Sequence, residues 1–474
     1  MCSAIALLAG CSTNAATGRT QFAGLMSPQQ ETQVGASEHE KIVKQFGLYK
    51  NSKLQSYVTE IGKRVSVNTE RADVQYKFFV LDSPIVNAFA LPGGYVYISR
   101  GLMALSNSEA ELAGVLAHEI GHVTARHSAE RYSHGVVTSL GAAVIAAAVD
   151  STGVSQALGL GSNLYMSSYS RSQENEADSL GIRYLSKGGY EPKAMSSFLN
   201  AMQNQSAVDS KAKGEKSGGA NYFSTHPATA DRVAKTRNES AQYKAGGDWD
   251  RDKYLKMIDG MTYGDSAEQG FAKGQTFYHP QMKFAFTAPN GFEIVNQPSQ
   301  VIAVSKASGA AMIFDMSASQ GAPNPASYIS NVWMKGKSGI GSVENTTVNG
   351  MPAASVAFPG EVNGKKATIR VMAVQWAADR YARFQIAIPN GSNANLVNSL
   401  KTASYSLRKL SNSEVQKLKP NTVRVIAAKS GESVSGLARR SAFSNLQEER
   451  FRVLNGLGQN DQLQAGRLYK VIVD

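Results

Sequence analysis

Cysteine is almost missing from the 474 residues: there are two, Cys2 and Cys11, both at the extreme N-terminus. This excludes a disulfide scaffold, and it excludes a cysteine-built zinc site in the rest of the chain. Tryptophan (3) and histidine (7) are also scarce, so histidines at ligand-like spacing stand out. No apolar run is long enough for a bilayer. The best candidate, residues 136–149, has 14 residues, is rich in alanine and is followed by Asp150; that length suits a buried helix or a lid. Acidic charge is in deficit, and the net charge is +12. The imbalance is local: residues 12–260 carry 26 Lys/Arg against 24 Asp/Glu, residues 261–422 carry 15 against 8, and residues 423–474 carry 8 against 5. No nucleic-acid-binding signature accompanies the excess, so it reads as general surface charge and nucleic acid is not an expected partner. The length leaves room for two to four domains.

Against this background the run 109–123 holds His118-Glu119-Ile120-Gly121-His122. On a helix, residues four apart share a face, so the two imidazoles can grip one metal ion. Glu119 lies one residue round the helix, within reach of a water on that metal. This is the H-E-x-x-H pattern of zinc proteases. Ser106-Asn107-Ser108-Glu109 reads as a capping box, with the helix running to about Tyr132. On such a helix His127 points about 140° away from His122. His127 is therefore read as structural, as are His39, His134 and His279.

A zinc protease site needs a third ligand and an open position. Within Ser170–Asp178, Glu174 and Asp178 are four apart and share a face. Glu174 can ligate, and Asp178 can accept the ring N–H of His118 and so fix its tautomer. Glu176 points elsewhere and reads as solvated.

Leu8-Ala9-Gly10-Cys11 resembles a bacterial lipobox, in which Cys11 is lipidated after cleavage. Residues 1–10 are then a signal peptide and 11–25 a tether. Residues 29–46, 53–67 and 169–186 read as helices, and Leu54, Val58, Ile61 and Val65 form one face of the second. Residues 76–81 and 95–99 read as strands, with Pro92-Gly93-Gly94 as a turn before the latter. Residues 135–161 read equally as a lid or a packed helical hairpin, and 210–219 as a loop. Downstream, 284–286, 301–304, 311–316, 353–358, 367–375 and 381–388 read as short strands, and 326–334 and 393–401 as helices.

Four segments together resemble the HtpX/CAAX-prenyl-protease family of gluzincin metallopeptidases, in its periplasmic lipoprotein branch. They are residues 87–94 (Asn-Ala-Phe-Ala-Leu-Pro-Gly-Gly), 118–122, 170–178 and 224–227 (Ser-Thr-His-Pro). The resemblance implies one zinc per chain on His118, His122 and Glu174, with Glu119 as general base. It implies that Asn87 holds substrate backbone or oxyanion. Tyr95, Val96, Tyr97 and Ile98 become an edge strand to which a peptide substrate adds. His226 either stabilises the oxyanion or falls on the zinc as a fourth ligand in a closed state.

Residues 423–474 resemble a LysM-like βααβ module. The matches are Lys429–Val434, Leu437-Ala438, Val453–Gly456 and Leu463–Leu468. Such modules bind peptidoglycan, so glycan binding and plain packing are both open for this one.

The expected architecture is multidomain. A mainly α zincin (gluzincin) protease domain with a small β-sheet (26–262) is followed by an α+β sheet domain of unassigned role (268–408), a linker (409–422) and the LysM-like domain (423–474). The expected function is a zinc endopeptidase acting on misfolded or unassembled envelope polypeptides. It would be periplasmic and anchored by lipid to the inner leaflet of the outer membrane. The rivals are a chaperone-like assembly factor and a peptidoglycan-binding adaptor.

Overall fold

A computed structural model describes residues 11–135, 168–213, 225–227, 229–362, 364–443 and 445–474. The signal segment 1–10, most of the expected lid (135–161) and part of the expected loop (210–219) lie outside the described residues. The chain forms two compact units, residues 1–264 with 421–474, and residues 265–420.

The first unit begins with a short hairpin, β1 (Cys11–Thr13) paired antiparallel with β2 (Thr20–Phe22). The expected tether is therefore folded over these residues. Asn14 is buried and donates to the Thr124 carbonyl at 3.2 Å. Helix α1 (Pro28–Phe46) opens with a Ser27/Gln30 capping box and Pro28 in its first turn, both of which satisfy or remove otherwise orphaned N–H groups. Helix α2 (Ser52–Ser66) buries Leu54, Val58, Ile61 and Val65. Each of these contributes about 1.5–3 kcal/mol by leaving water. A three-stranded sheet holds β3 (Lys77–Leu81), β4 (Ala88–Leu91) and β5 (Tyr95–Ser99).

Helix α3 (Arg100–Leu105) leads into α4 (Glu109–Thr124), every residue of which is buried. The cap of α4 is Ser108, bonded to the Glu111 N–H, while the Glu111 carboxylate accepts from the Asn107 N–H. The cap thus falls two residues later than Ser106. Helices α5 (Arg171–Lys187), α6 (Ala194–Lys213), α7 (Ala230–Ser240) and α8 (Arg251–Ile258) follow in the same unit. Glycines set how closely α4 and α5 pack. A Cβ on Gly121 would lie 2.9 Å from the Ala177 carbonyl oxygen, and one on Gly181 would lie 3.1 Å from the His118 nitrogen. Only glycine lets these backbones approach so closely.

Residues 421–474 belong to this unit rather than standing as a separate body. They fold as strand (Thr422–Ala427), helix (Val434–Ala438), helix (Gln447–Leu454) and strand (Leu468–Val473), with the two strands antiparallel. Gly260 and Met261 exchange backbone bonds with Val423, each 2.8 Å long. Lys470 is fully buried, and its ammonium donates to the Ala104 and Ser106 carbonyls at 2.7 and 2.6 Å. It thereby satisfies carbonyls at the C-terminal end of α3, while burial pulls its pKa down to about 7 against the opposing pull of Glu111.

The second unit is β-rich. Seven antiparallel strands order as Glu344–Val348, Met351–Val362, Lys365–Ala377, Arg380–Pro389, Ala311–Ala318, Gln300–Val304 and Glu293–Gln297. A four-stranded sheet carries Phe271–Lys273, Thr276–His279, Phe284–Thr287 and Arg408–Lys409. The region expected as a linker thus contributes a strand (Arg408–Lys409) and a helix (Asn412–Lys417). Phe277, Phe284, Phe286, Phe314 and Phe384 fill the core of this unit.

His279 in this unit has a testable consequence. Burial pushes its imidazole from 6.5 down to about 4, and its Nδ1 accepts the Met282 N–H at 3.3 Å. Its folded pKa lies below the unfolded one, so the unfolded chain binds the proton first. Stability is intact above pH 6.5 and falls as the pH drops from 6.5 to 4. After allowance for solvent screening the loss is about 1–2 kcal/mol. Melts of the full chain are expected to fall less between pH 7 and 4.5 in His279→Gln than in wild type. Parallel shifts in the two proteins would refute the assignment.

Candidate metal centre

Four side chains from three elements converge. His118 and His122 lie on α4, Glu174 lies in the first turn of α5, and His226 precedes α7. One donor atom from each lies within 4.8 Å of the others. All four are nearly fully buried, at 1, 2, 3 and 1% exposure. The Nε2 atoms of His118 and His122 are 3.0 Å apart. His226 Nδ1 is 3.3 Å from His118 Nε2 and 2.7 Å from Glu174 Oε1, and Glu174 Oε1 is 3.3 Å from His122 Nε2. A tetrahedral zinc with bonds of about 2.0–2.1 Å has ligand–ligand edges of about 3.4 Å. The donors are thus spaced as zinc ligands, with His226 among them.

Glu119 is fully buried, and among the described residues neither of its carboxylate oxygens has a hydrogen-bond partner. The nearest cationic contact is His226 Nε2 at 3.7 Å. A buried carboxylate costs several kcal/mol unless something solvates it. Glu119 is placed to accept a proton from a water at the cluster, and that is the observation that fits a metal with its water here.

The electrostatics are set by burial and by one arginine. Burial drives the His122 pKa well below the usual imidazole value, with the neighbouring His118 adding to the shift; it stays a neutral, ligand-competent ring. Burial alone would raise Glu174, but His226 and Arg232 hold it well below the carboxylate range. Burial would lower His226, and the carboxylates of Glu174 and Glu119 outweigh it, so its pKa is raised. Arg232, in the first turn of α7, donates from Nε and Nη2 to Asp178 at 2.6 and 2.8 Å, and its Nη1 lies 2.5 Å from Glu174. It offsets the burial of both carboxylates, and Asp178 remains ionised. Asp178 Oδ1 lies 2.9 Å from His118 Nδ1, the contact expected from the sequence.

The edge-strand expectation is overturned. Strand β5, with Tyr95, Val96, Tyr97 and Ile98, is the central strand: it pairs parallel with β3 and antiparallel with β4. The Pro92-Gly93-Gly94 turn, with φ of 76° and 88° at the two glycines, folds β4 back on it. The unbroken apolar and aromatic run of β5 is the mark of a strand covered on both sides. The end strand next to the cluster is β4. A narrow crevice lined by Ala90, Leu91, Pro92 and His122 joins them. Ser99 donates to the Asn87 carbonyl at 2.9 Å. By the alternation of an antiparallel ladder, the amides of Ala88 and Ala90 then point to the side of β4 that has no partner strand among the described residues. The hydrogen bonds made by Asn87 are with Ser99, not with the histidine cluster.

The reading of His127 changes too. Helix α4 stops at Thr124, and Arg126 takes φ 58°. The backbone turns before residues 127–135 resume as a helix. His127 therefore swings back beside His122, with Nδ1 2.8 Å from His122 Nδ1. Glu176, expected in solvent, lies 3.0 Å from His127 Nε2. Tyr169 falls outside α5, because Ser170 is its cap, and it stacks on the His122 ring at 3.8 Å. Arg232, His127 and Tyr169 carry no spacing signal in the sequence; a non-helical φ at an arginine cannot be read from residue type. His39 packs against Phe79, His279 against Phe284, and His134 edge-on against Phe22.

Residues 52–240 match the model of Peptidase family M48. The Beta-barrel assembly-enhancing protease of Escherichia coli (strain K12) is 30% identical over 234 residues, 48% of this chain and 47% of that protein. The protein of the same name from Yersinia pestis is 31% identical over 201 residues, 40% of each chain. Mitochondrial metalloendopeptidase OMA1 of Schizosaccharomyces pombe is 32% identical over 179 residues, 38% of this chain and 51% of that one. The chain spans about half the length of the curated relatives it matches. The matched residues contain the whole cluster.

Proposed function

We propose, from the peptidase family M48 domain that residues 52–240 form, that this chain is a zinc-dependent endopeptidase of envelope protein quality control. The observation that carries the reading is the buried His118–His122–Glu174–His226 cluster with Glu119 unpaired beside it. His118, His122 and Glu174 hold the metal. Zinc supplies a Lewis acid that polarises a substrate carbonyl and makes water more acidic. Glu119 accepts the proton of the attacking water and returns it to the departing amine. Asp178 and Arg232 fix the tautomer and orientation of His118. An extended substrate adds to the free edge of β4 through the outward amides of Ala88 and Ala90. Asn87, just ahead of β4, holds substrate backbone at that edge.

His226 is a fourth ligand of a closed state. The support is its Nδ1, which stands at ligand distance from both His118 and Glu174 and so takes the position a substrate carbonyl would need. Opening the site requires His226 to withdraw from the cluster.

Cys11 is proposed as the lipidated residue of an anchor to the outer membrane. Among the described residues no helix is long and apolar enough to cross a membrane. The strand–helix–helix–strand order of residues 422–473 supports a LysM-like module that binds peptidoglycan. Unfolded or misassembled envelope polypeptides are the proposed substrates, in line with the names of the bacterial relatives.

One experiment tests the core of this. Purified protein is expected to carry one zinc per chain and to cleave unfolded casein slowly. Cleavage is expected to rise several-fold in His226→Ala and to vanish with a chelator in both proteins. A protein that takes up no zinc on reconstitution would overturn the enzyme reading. If His226→Ala were no faster than wild type, the closed-state reading would be wrong.

A further inference from the structure

The second nitrogen of His122 leads into an ordered chain of polar groups. His122 Nδ1 lies 2.8 Å from His127 Nδ1, and His127 Nε2 lies 3.0 Å from Glu176 Oε2. Arg19 Nε donates to Glu176 Oε1 at 2.8 Å, and its Nη1 and Nη2 donate to Glu130 at 2.7 and 2.9 Å. Gln173 Nε2 donates to Glu130 at 2.9 Å. His127 is fully buried.

The protons in this chain can be assigned in only one order if His122 is a metal ligand. With Nε2 lending its lone pair to the metal, the proton of a neutral His122 ring sits on Nδ1. His127 Nδ1 must then accept it, so the proton of His127 is on Nε2. That N–H points at Glu176, a carboxylate that only accepts. Arg19 supplies the positive charge that keeps Glu176 ionised. Every group has one role, and no donor faces a donor.

We infer that His127, Glu176 and Arg19 are positioning residues for the metal: they fix the tautomer and ring orientation of His122, as Asp178 and Arg232 do for His118. The inference rests on the zinc-site reading above. It has a topological consequence. Arg19 belongs to the turn between β1 and β2, eight residues beyond Cys11. The N-terminal hairpin is thereby part of the metal centre's support. Glu130, on the residues that follow the Arg126 turn, ties the same arginine to the end of α4.

The test is zinc affinity of the full chain, measured by competition with a chromophoric chelator, with no substrate present. Groups that orient metal-ligating histidines are each worth about 10–100-fold in metal affinity. His127→Ala is expected to weaken zinc by that factor, and Glu176→Gln, isosteric and off the cluster, by several-fold. Arg19→Ala is expected to weaken zinc in the wild-type background and to add nothing in the His127→Ala background, because its effect runs through His127. A purely structural arginine would lower the melting temperature in both backgrounds and leave that coupling at zero. Wild-type zinc binding with both His127→Ala and Glu176→Gln within twofold of it would overturn the inference alone. An Arg19→Ala effect undiminished in the His127→Ala background would also overturn it. Absence of zinc from the wild type would remove the parent reading as well.

Discussion

Glu119→Gln is expected to lose casein cleavage by about 10²–10⁴-fold, the range a positioned general base contributes, while keeping one zinc per chain and the same fold. The expectation comes from what surrounds the side chain. Glu119 is fully buried, its oxygens bond to no protein group among the described residues, and it is not one of the four clustered ligands. Glutamine has the same shape and can still bond to a water, but it cannot take up a proton. The metal donors are untouched, so zinc stoichiometry and the far-ultraviolet spectrum should match wild type. Cleavage within tenfold of wild type would show that the proton goes elsewhere. Loss of zinc along with cleavage would show that Glu119 supports the metal rather than the water. His226 Nε2, 3.7 Å from Glu119 Oε1, is the nearest alternative acceptor; combining His226→Ala with Glu119→Gln separates the two. If the double variant is as inactive as Glu119→Gln, the proton acceptor is Glu119.

The second large effect is on stability. Arg232→Met is expected to destabilise the metal-free protein by about 3–5 kcal/mol, the usual result of removing one partner of a buried ion pair. At about 2 °C per kcal/mol for a unit of this size, the melting temperature falls by about 6–10 °C. Arg232 is 5% exposed, and it faces Asp178 and Glu174, themselves 2% and 3% exposed. Without the guanidinium, among the described residues Asp178 stays buried with only its contact to His118, and Glu174 with only the histidines of the cluster. Methionine keeps the volume, so the loss reports charge rather than a cavity. Zinc held by Glu174 supplies positive charge to one of the two carboxylates that Arg232 faces, so the holo protein should lose distinctly less than the apo protein. Equal losses with and without zinc would mean that zinc does not stand in for the Arg232 charge at Glu174, and would overturn this account.

Much of the site was legible in the order of residues because helices make it so. His118 and His122, and Glu174 and Asp178, are pairs at i,i+4, and the face each pair shares follows from helix geometry alone. The same geometry gave the buried stripe of Leu54, Val58, Ile61 and Val65 on α2, whereas the start of α5 at the Ser170 cap, beyond Tyr169, came from the structure. The failures share a cause as well. His127 was misplaced because one residue, Arg126, leaves the helical region; a five-residue offset then means something else. Strand β5 was misplaced because sequence tells which residues form a strand, not how many neighbours it acquires. Glu176 looked solvent-facing because its partner Arg19 is 157 residues earlier.

By itself, then, the sequence determined the local parts: a two-histidine helix with a carboxylate between, a second helix offering two more carboxylates, and a His-Pro segment ahead of a third. Only tertiary structure brought His226 together with His118, His122 and Glu174, set Arg232 against both carboxylates, and linked the N-terminal hairpin to His122 through His127. The physical reason is one of range. Hydrogen-bond ladders along a helix fix neighbours a few residues apart, whereas buried charges find their partners wherever desolvation forces them together, at any distance along the chain.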